Sequence, residues 1–366
     1  MKNKILISLE LIAFVFILNT SFSSVSYFDN FKPIFESKFY PFRLSDEQIK
    51  FIKALRTNYH TGKLLDAFII IAKDYFPLKN VFIEFINKIQ KDSVFINAET
   101  DYKKADAILL LIHKFLFKRY IADNPSIVET FQFGYFNCVS ATVIYNLVAD
   151  YFGIKVAAVN LPSHISSVVH INGQSFETET TVRYGFDAGK RRGIADELKR
   201  ITGFVYVPVI EGRRRYITNT SLLAIYLSQI GNLNGDRRKY GESLKLYALS
   251  LMIEPLNEAS LTGIQITYYK LAESAMFSGE FEKGILLTLE LADLFPDMIN
   301  MRKASEVYFH NLILELERKG KYEEAIELIK KYNSHKILDK VVQNIKEGIY
   351  KNYAVYLSHR QEFQKA

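Results

Sequence analysis

The dipeptide Asn172-Gly173, set between His164–Ile171 and Gln174–Thr181, limits the folds open to this chain more than any other feature. A two-residue type I′ turn needs positive φ at both central positions, which Asn and Gly tolerate, so the flanking runs are predicted to pair antiparallel. The turn also sets the register. Ile171 then faces Gln174, Val169 faces Phe176, Ser167 faces Thr178, Ser166 faces Glu179 and His164 faces Thr181. Because side chains alternate, His164, Ser166, Val168 and His170 share one face with Ser175, Glu177, Glu179 and Thr181. His164 and Glu179 emerge as diagonal neighbours, near enough for a carboxylate to orient an imidazole. Ile165, Ser167, Val169, Ile171 and Phe176 form the opposite, more apolar face. A slip of one residue would turn one strand over and part the His–Glu pair.

Upstream, Ile154–Leu161 reads as another strand, and Cys138–Phe152 as an apolar helix closed by Gly153 with Asn137 at its N-cap. The order is helix, strand, strand, strand. Cys138 falls in the first helical turn, where the partial positive charge favours a thiolate and a nearby imidazole would hold it as an ion pair. Cys138, His164 and Glu179 are therefore the candidate nucleophile, base and orienting acid. The Cys138 N–H, at a helix start, is a ready oxyanion donor; Gln132 is a candidate second donor and Asn137 a supporting residue. Each has an ordinary alternative: a small core cysteine, a capped strand start at His164, a solvated Glu179. His170, beside the turn, is read as a surface residue.

The chemistry so assembled calls for no metal or cofactor. A single cysteine excludes an internal disulfide framework and any multi-cysteine zinc site. At 366 residues, 49% hydrophobic and 24% charged, the chain is globular and long enough for more than one unit. Residues 27–100 are expected to be helical, with a capping-box pattern at Ser45 and Gln48. Residues 101–219 carry the mixed helix-and-strand core. They begin with a helical segment, Asp101–Tyr120, in which Ala105, Leu109, Ile112 and Leu116 recur, broken at Asn124-Pro125-Ser126.

Residues 220–366 read as helical and repetitive. Tyr240, Phe281 and Tyr322 stand 41 residues apart, as do Pro255 and Pro296, and each aromatic is expected to begin a helix. A small residue follows three places on, and Ile337 occupies the third unit's proline position. Generic helical hairpins would give the same outline. Stacked helical pairs of this kind offer a concave face to a protein partner.

Residues 1–26 resemble an export leader: Lys2 and Lys4, an apolar run Ile5–Leu18, then Ser21-Phe22-Ser23-Ser24 as a cleavage region. The expectation is an exported protein of the cell envelope or medium; an uncleaved leader would instead anchor it to a membrane, and Glu10 would suit a buried N-terminal helix. The stretch Lys190–Lys239 holds eleven Lys or Arg against four Asp or Glu and so carries the whole net charge of +7. Arg213, Arg214 and Arg215 are the candidate contacts for an acidic substrate or polymer, solvated loop charge being the plainer reading. No stacking motif accompanies the charges, which excludes nucleic acid as the expected partner.

Taken together, Phe136-Asn137-Cys138-Val139-Ser140-Ala141-Thr142, Leu161-Pro162-Ser163-His164 and Glu179-Thr180-Thr181 with Tyr184-Gly185-Phe186-Asp187 resemble the bacterial transglutaminase-like superfamily. Tyr206-Val207-Pro208 and Arg214-Arg215-Tyr216-Ile217 resemble the same branch, and the C-terminal repeats resemble tetratricopeptide repeats with a period above the usual 34. The resemblance implies an α+β papain-like core and a Cys-His-acid triad at Cys138, His164 and Glu179. It also implies acyl transfer on the amide bond of a peptide or protein, to water or to an amine. A catalytically inactive interaction protein on the same fold is the alternative.

Overall fold

The computed structural model describes residues 52, 65–68, 78–161, 163–191, 193–203, 214–294, 299–333 and 335–360. The leader, the Ser45–Gln48 pattern, Pro162, Pro296 and Arg213 lie outside the described residues. Among the described residues no helix is long and apolar enough to cross a membrane.

Helix α1 (Leu78–Lys91) buries Leu78, Phe82, Phe85, Ile86 and Ile89, one stripe at helical spacing. A short α2 (Ser93–Ile96) leads to α3 (Asp101–Phe115), capped by Thr100. This helix ends earlier than its apolar pattern, which runs on to Tyr120. The reason is local: the N–H groups of Lys118 and Arg119 both turn to the carbonyl of Gly134. The chain instead makes β1 (Arg119–Tyr120), parallel to β2 (Tyr135–Phe136), with α4 (Ile127–Phe133) between them.

Helix α5 (Cys138–Tyr151) is the hub. Every residue from Val139 to Asp150 is buried, because the helix is covered by α3 and α4 on one side and by the sheet on the other. A helix apolar all round demands that position. The sheet is antiparallel throughout, in the order β5 (Gln174–Thr178), β4 (His164–Ile171), β3 (Lys155–Leu161), β6 (Arg215–Ile217). Asn172 and Gly173 both have positive φ, 49° and 77°, and the ladder runs Ile171 to Gln174, Val169 to Phe176 and Ser167 to Thr178. Pairing stops there: the expected continuation to Thr181 is replaced by a turn in which the Glu179 N–H donates to Gly185 O at 2.9 Å.

Buried Asn146 on α5 fastens helix to sheet. Its Nδ2 donates to Ala157 O and to Asn219 Oδ1, and its Oδ1 accepts from Ser167 Oγ at 2.6 Å. Such a network is stable in a core because each polar atom named has a partner.

After a short α6 (Ile194–Thr202), the rest is helical: α7 (Asn219–Asp236), α8 (Tyr240–Ile253), α9 (Glu258–Phe277), α10 (Phe281–Leu294), α11 (Ile299–Arg318), α12 (Tyr322–Tyr332) and α13 (Asp339–His359). Each packs against the next in line. Tyr240, Phe281 and Tyr322 are the first residues of α8, α10 and α12. Two residues before each aromatic the backbone turns left-handed, at Arg238, Gly279 and Gly320. The bonding recurs there: the N–H of Lys239, Glu280 and Lys321 donates to Asn234, Ala275 and Leu316 O, each at 2.8 Å. This is a Schellman helix end repeated every 41 residues. Helix α8 joins the two hydrophobic cores, giving Leu249, Met252 and Ile253 to the first and Leu244, Tyr247 and Leu251 to the second.

Candidate active site

Asn137 builds the helix start on which Cys138 sits. Its Oδ1 accepts from the N–H of Val139 at 2.9 Å and of Ser140 at 3.1 Å, and its own N–H donates to Ser140 Oγ, a reciprocal capping box. Its Nδ2 donates to Ala122 O at 2.9 Å. Asn137 is thus a supporting cap and not an oxyanion donor. The Cys138 N–H takes no part in the cap, which leaves it directed out of the first turn. The thiol is half-buried.

His164 opens β4 directly opposite Leu161, the last residue of β3. Its Nε2 lies 2.7 Å from Glu179 Oε2. The Cys138 side chain lies near enough to the ring to favour its charged form. Imidazole and carboxylate are thus bonded, with the sulfur in their neighbourhood, though 41 residues separate Cys138 from Glu179 in the chain. Burial disfavours a charged His164 ring, but the Glu179 carboxylate bonded to it and the nearby Cys138 outweigh that and push the ring up to about 10. Burial likewise raises Glu179, yet the His164 charge and the donors from His164 and Thr181 hold its carboxyl below the usual range. Burial next to a specific charge partner is the pattern of functional carboxylates and imidazoles.

The acid is anchored from all sides. Thr181 gives Oε1 both its hydroxyl, at 2.6 Å, and its N–H, at 3.0 Å. The Thr180 hydroxyl lies 2.9 Å from that of Thr142, one turn along the helix from Cys138. Gly185 lies so close that a Cβ there would stand 1.9 Å from Glu179 O.

Tyr120 is a member that pattern reading missed. Burial first, then the nearby Cys138, raise its phenol. It sits on a two-residue strand, too short to carry a periodic signal. The other proposed residues lie elsewhere. Gln132 is exposed in the last turn of α4 and is joined to no member of the triad among the described hydrogen bonds, so the second-donor assignment has no support in the geometry. Arg214 pairs with Glu177, which also accepts from Tyr216 Oη at 3.2 Å. Arg215 is exposed on β6. His170 is half-buried, its Nδ1 3.0 Å from Ser175 Oγ across the turn.

Among the described residues no group of three or more His, Cys, Asp or Glu is arranged to hold a metal ion. Compared with protein-family models, curated proteins and solved structures, the chain matches none of them.

Proposed function

We propose that this chain is a cysteine-nucleophile acyl-transfer enzyme of transglutaminase-like, papain-like architecture, acting on an amide bond of a peptide or protein. The observation that carries the reading is the 2.7 Å contact of His164 Nε2 with Glu179 Oε2, on a ring that lies near the Cys138 side chain at a helix N-terminus. In the proposed reaction the Cys138 sulfur attacks the amide carbonyl, forming the C–S bond while the carbonyl electrons move to oxygen. The Cys138 N–H receives that oxyanion. Its collapse breaks the C–N bond as the imidazolium of His164 gives its proton to the departing amine. Water or a second amine then attacks the thioester, losing its proton to His164, and the C–S bond breaks to release the Cys138 thiolate beside the imidazolium. Glu179 keeps the ring oriented and its charge compensated throughout.

The helices from Asn219 onward are read as tetratricopeptide-like pairs that bring a protein partner to this domain, and residues 1–26 as the leader that exports it. Intact mass of the secreted chain tests the leader.

Cys138 is the sole cysteine, so thiol chemistry reports on one site. The wild-type protein should react with iodoacetamide near pH 6, where an ordinary thiol is almost inert. His164→Ala should abolish that low-pH reactivity, and Cys138→Ala should abolish labelling and activity with the far-UV circular dichroism unchanged. A wild-type thiol that reacts only above pH 8 would defeat the enzyme reading in favour of an inactive interaction protein.

A further inference from the structure

His113, near the C-terminal end of α3, is an imidazole that the proposed reaction does not use. Its ring stands edge-on to Phe117 and Phe136, with centroids at 5.0 and 6.0 Å, and its Nε2 is 3.0 Å from Thr180 O. A carbonyl oxygen only accepts, so Nε2 carries the proton and donates. Burial, helped by the charge of Arg183, depresses this ring to about 4, so at neutral pH it is a neutral, fixed donor and not a charge.

What it holds is the residue next to the acid. Thr180 is bound a second time through its hydroxyl, and that bond has a direction. The Thr142 hydroxyl donates to Ile165 O at 3.2 Å, so the shared hydrogen between the two threonines comes from Thr180. Thr180 is thus tied to the helix of Cys138 and to the strand residue after His164. Thr180 is held at its side chain by Thr142 and at its carbonyl by His113, and that carbonyl belongs to the same peptide unit as the Thr181 N–H that donates to Glu179 Oε1.

We infer that His113 is a positioning residue of the triad: its Nε2–H fixes the Thr180 carbonyl, and the peptide so oriented aims the Glu179 carboxylate at His164. This rests on the acyl-transfer reading above.

The test compares rates of Cys138 alkylation by iodoacetamide from pH 5 to 9 in the full-length wild type, His113→Phe and His113→Gln. Phenylalanine keeps the aromatic packing and removes the donor; glutamine places an amide donor near the position of Nε2. His113→Phe should lose about tenfold of the pH 6 rate, the effect of weakening the acid's hold on the ring by one pKa unit. His113→Gln should restore most of it. An unchanged profile in His113→Phe, or equal losses in both variants, overturns the assignment. Should the phenylalanine variant not fold, 15N spectra of histidine-labelled wild type decide: the assignment requires a neutral His113 protonated at Nε2 from pH 5 to 8, and the Nδ1-protonated form or a titration near 6.5 overturns it. A wild-type thiol without low-pH reactivity sinks the triad itself; low-pH reactivity that survives in His113→Phe sinks only this inference.

Discussion

Thr181 gives Glu179 Oε1 two hydrogen bonds, from its hydroxyl at 2.6 Å and its backbone N–H at 3.0 Å, so Oε2 is the carboxylate oxygen left for His164. The pairing is intraloop and buried, and it decides which way the acid points. Thr181→Val removes one donor without changing the shape of the side chain. Loss of a buried hydrogen bond to a charged group destabilises by about 1.5–3 kcal/mol. Chemical denaturation should register that loss, and alkylation of Cys138 should need a higher pH than in the wild type. Equal stability would mean that the backbone N–H alone suffices.

Tyr120 lies near Cys138 and rests its ring against Phe136, centroids 5.7 Å apart. Tyr120→Phe separates the two contacts. The ring packing should hold the fold, while the hydroxyl near the sulfur is lost. Alkylation at pH 6 should slow about tenfold, in keeping with a charge-assisted hydrogen bond of some 1.5–3 kcal/mol. A rate matching the wild type would assign Tyr120 to packing alone.

These two residues mark how far the sequence can be read. The Asn172-Gly173 turn is legible because its φ requirement is met by few residues, and the register it sets holds from Ile171–Gln174 to Ser167–Thr178, whereas the loop beyond Thr178, and not the ladder, brings Glu179 to His164. Asn137 is legible for a similar reason, since short polar side chains compete well for free N–H groups at helix starts. Tyr120, His113 and β6 are not. They reach the site or the sheet through contacts distant in sequence, on elements with no periodicity of their own or, for His113, on a helix whose pattern speaks only of burial. The end of β5 at Thr178 was also hidden: alternation continues to Thr181, but after Thr178 the chain turns, with the Glu179 N–H donating to the Gly185 carbonyl.

Gly185 has the clearest steric requirement near the site. A Cβ there would meet Glu179 O at 1.9 Å and Glu179 C at 2.8 Å, both backbone atoms without room to yield. Gly185→Ala must therefore move the acid's own peptide. It should remove the low-pH reactivity of Cys138 and lower stability by about 1–3 kcal/mol, the usual penalty for forcing atoms into a packed site. A crystal structure of the variant with the His164–Glu179 bond intact would refute this.

The two imidazoles of the site predict opposite pH limbs. His164 is raised from 6.5 to about 10, so the folded state holds its proton more tightly than the unfolded state does. Its contribution is complete below pH 6.5 and disappears as pH climbs to about 10. His113 is lowered from 6.5 to about 4, so its contribution is complete above 6.5 and disappears as pH falls to about 4. Together they place a stability maximum close to pH 6.5. Thermal unfolding across pH should show the alkaline limb flattened in His164→Gln and the acid limb flattened in His113→Phe. A variant whose slope matches the wild type in its own window would contradict the assignment.

The 41-residue repeat carries a flaw that a single substitution should correct. Gly279 and Gly320 occupy the left-handed position that ends the helices before α10 and α12, with φ of 78° and 69°. The matching position before α8 is Arg238, at φ 60° and with the same pair of closing hydrogen bonds. A residue with a Cβ is disfavoured in that conformation by about 1–2 kcal/mol, whereas glycine is not. Glycine also gains freedom in the unfolded chain, which offsets part of the relief. Arg238→Gly should therefore raise stability by about 0.5–1 kcal/mol, or roughly 1 to 3 °C in thermal unfolding for a chain of this size. Gly279→Ala supplies the reciprocal, because a Cβ there meets nothing within 4 Å and only the backbone conformation is penalised. It should lower stability by about 1 kcal/mol. If Arg238→Gly is neutral while Gly279→Ala is destabilising, the arginine side chain must make up in contacts what its backbone loses.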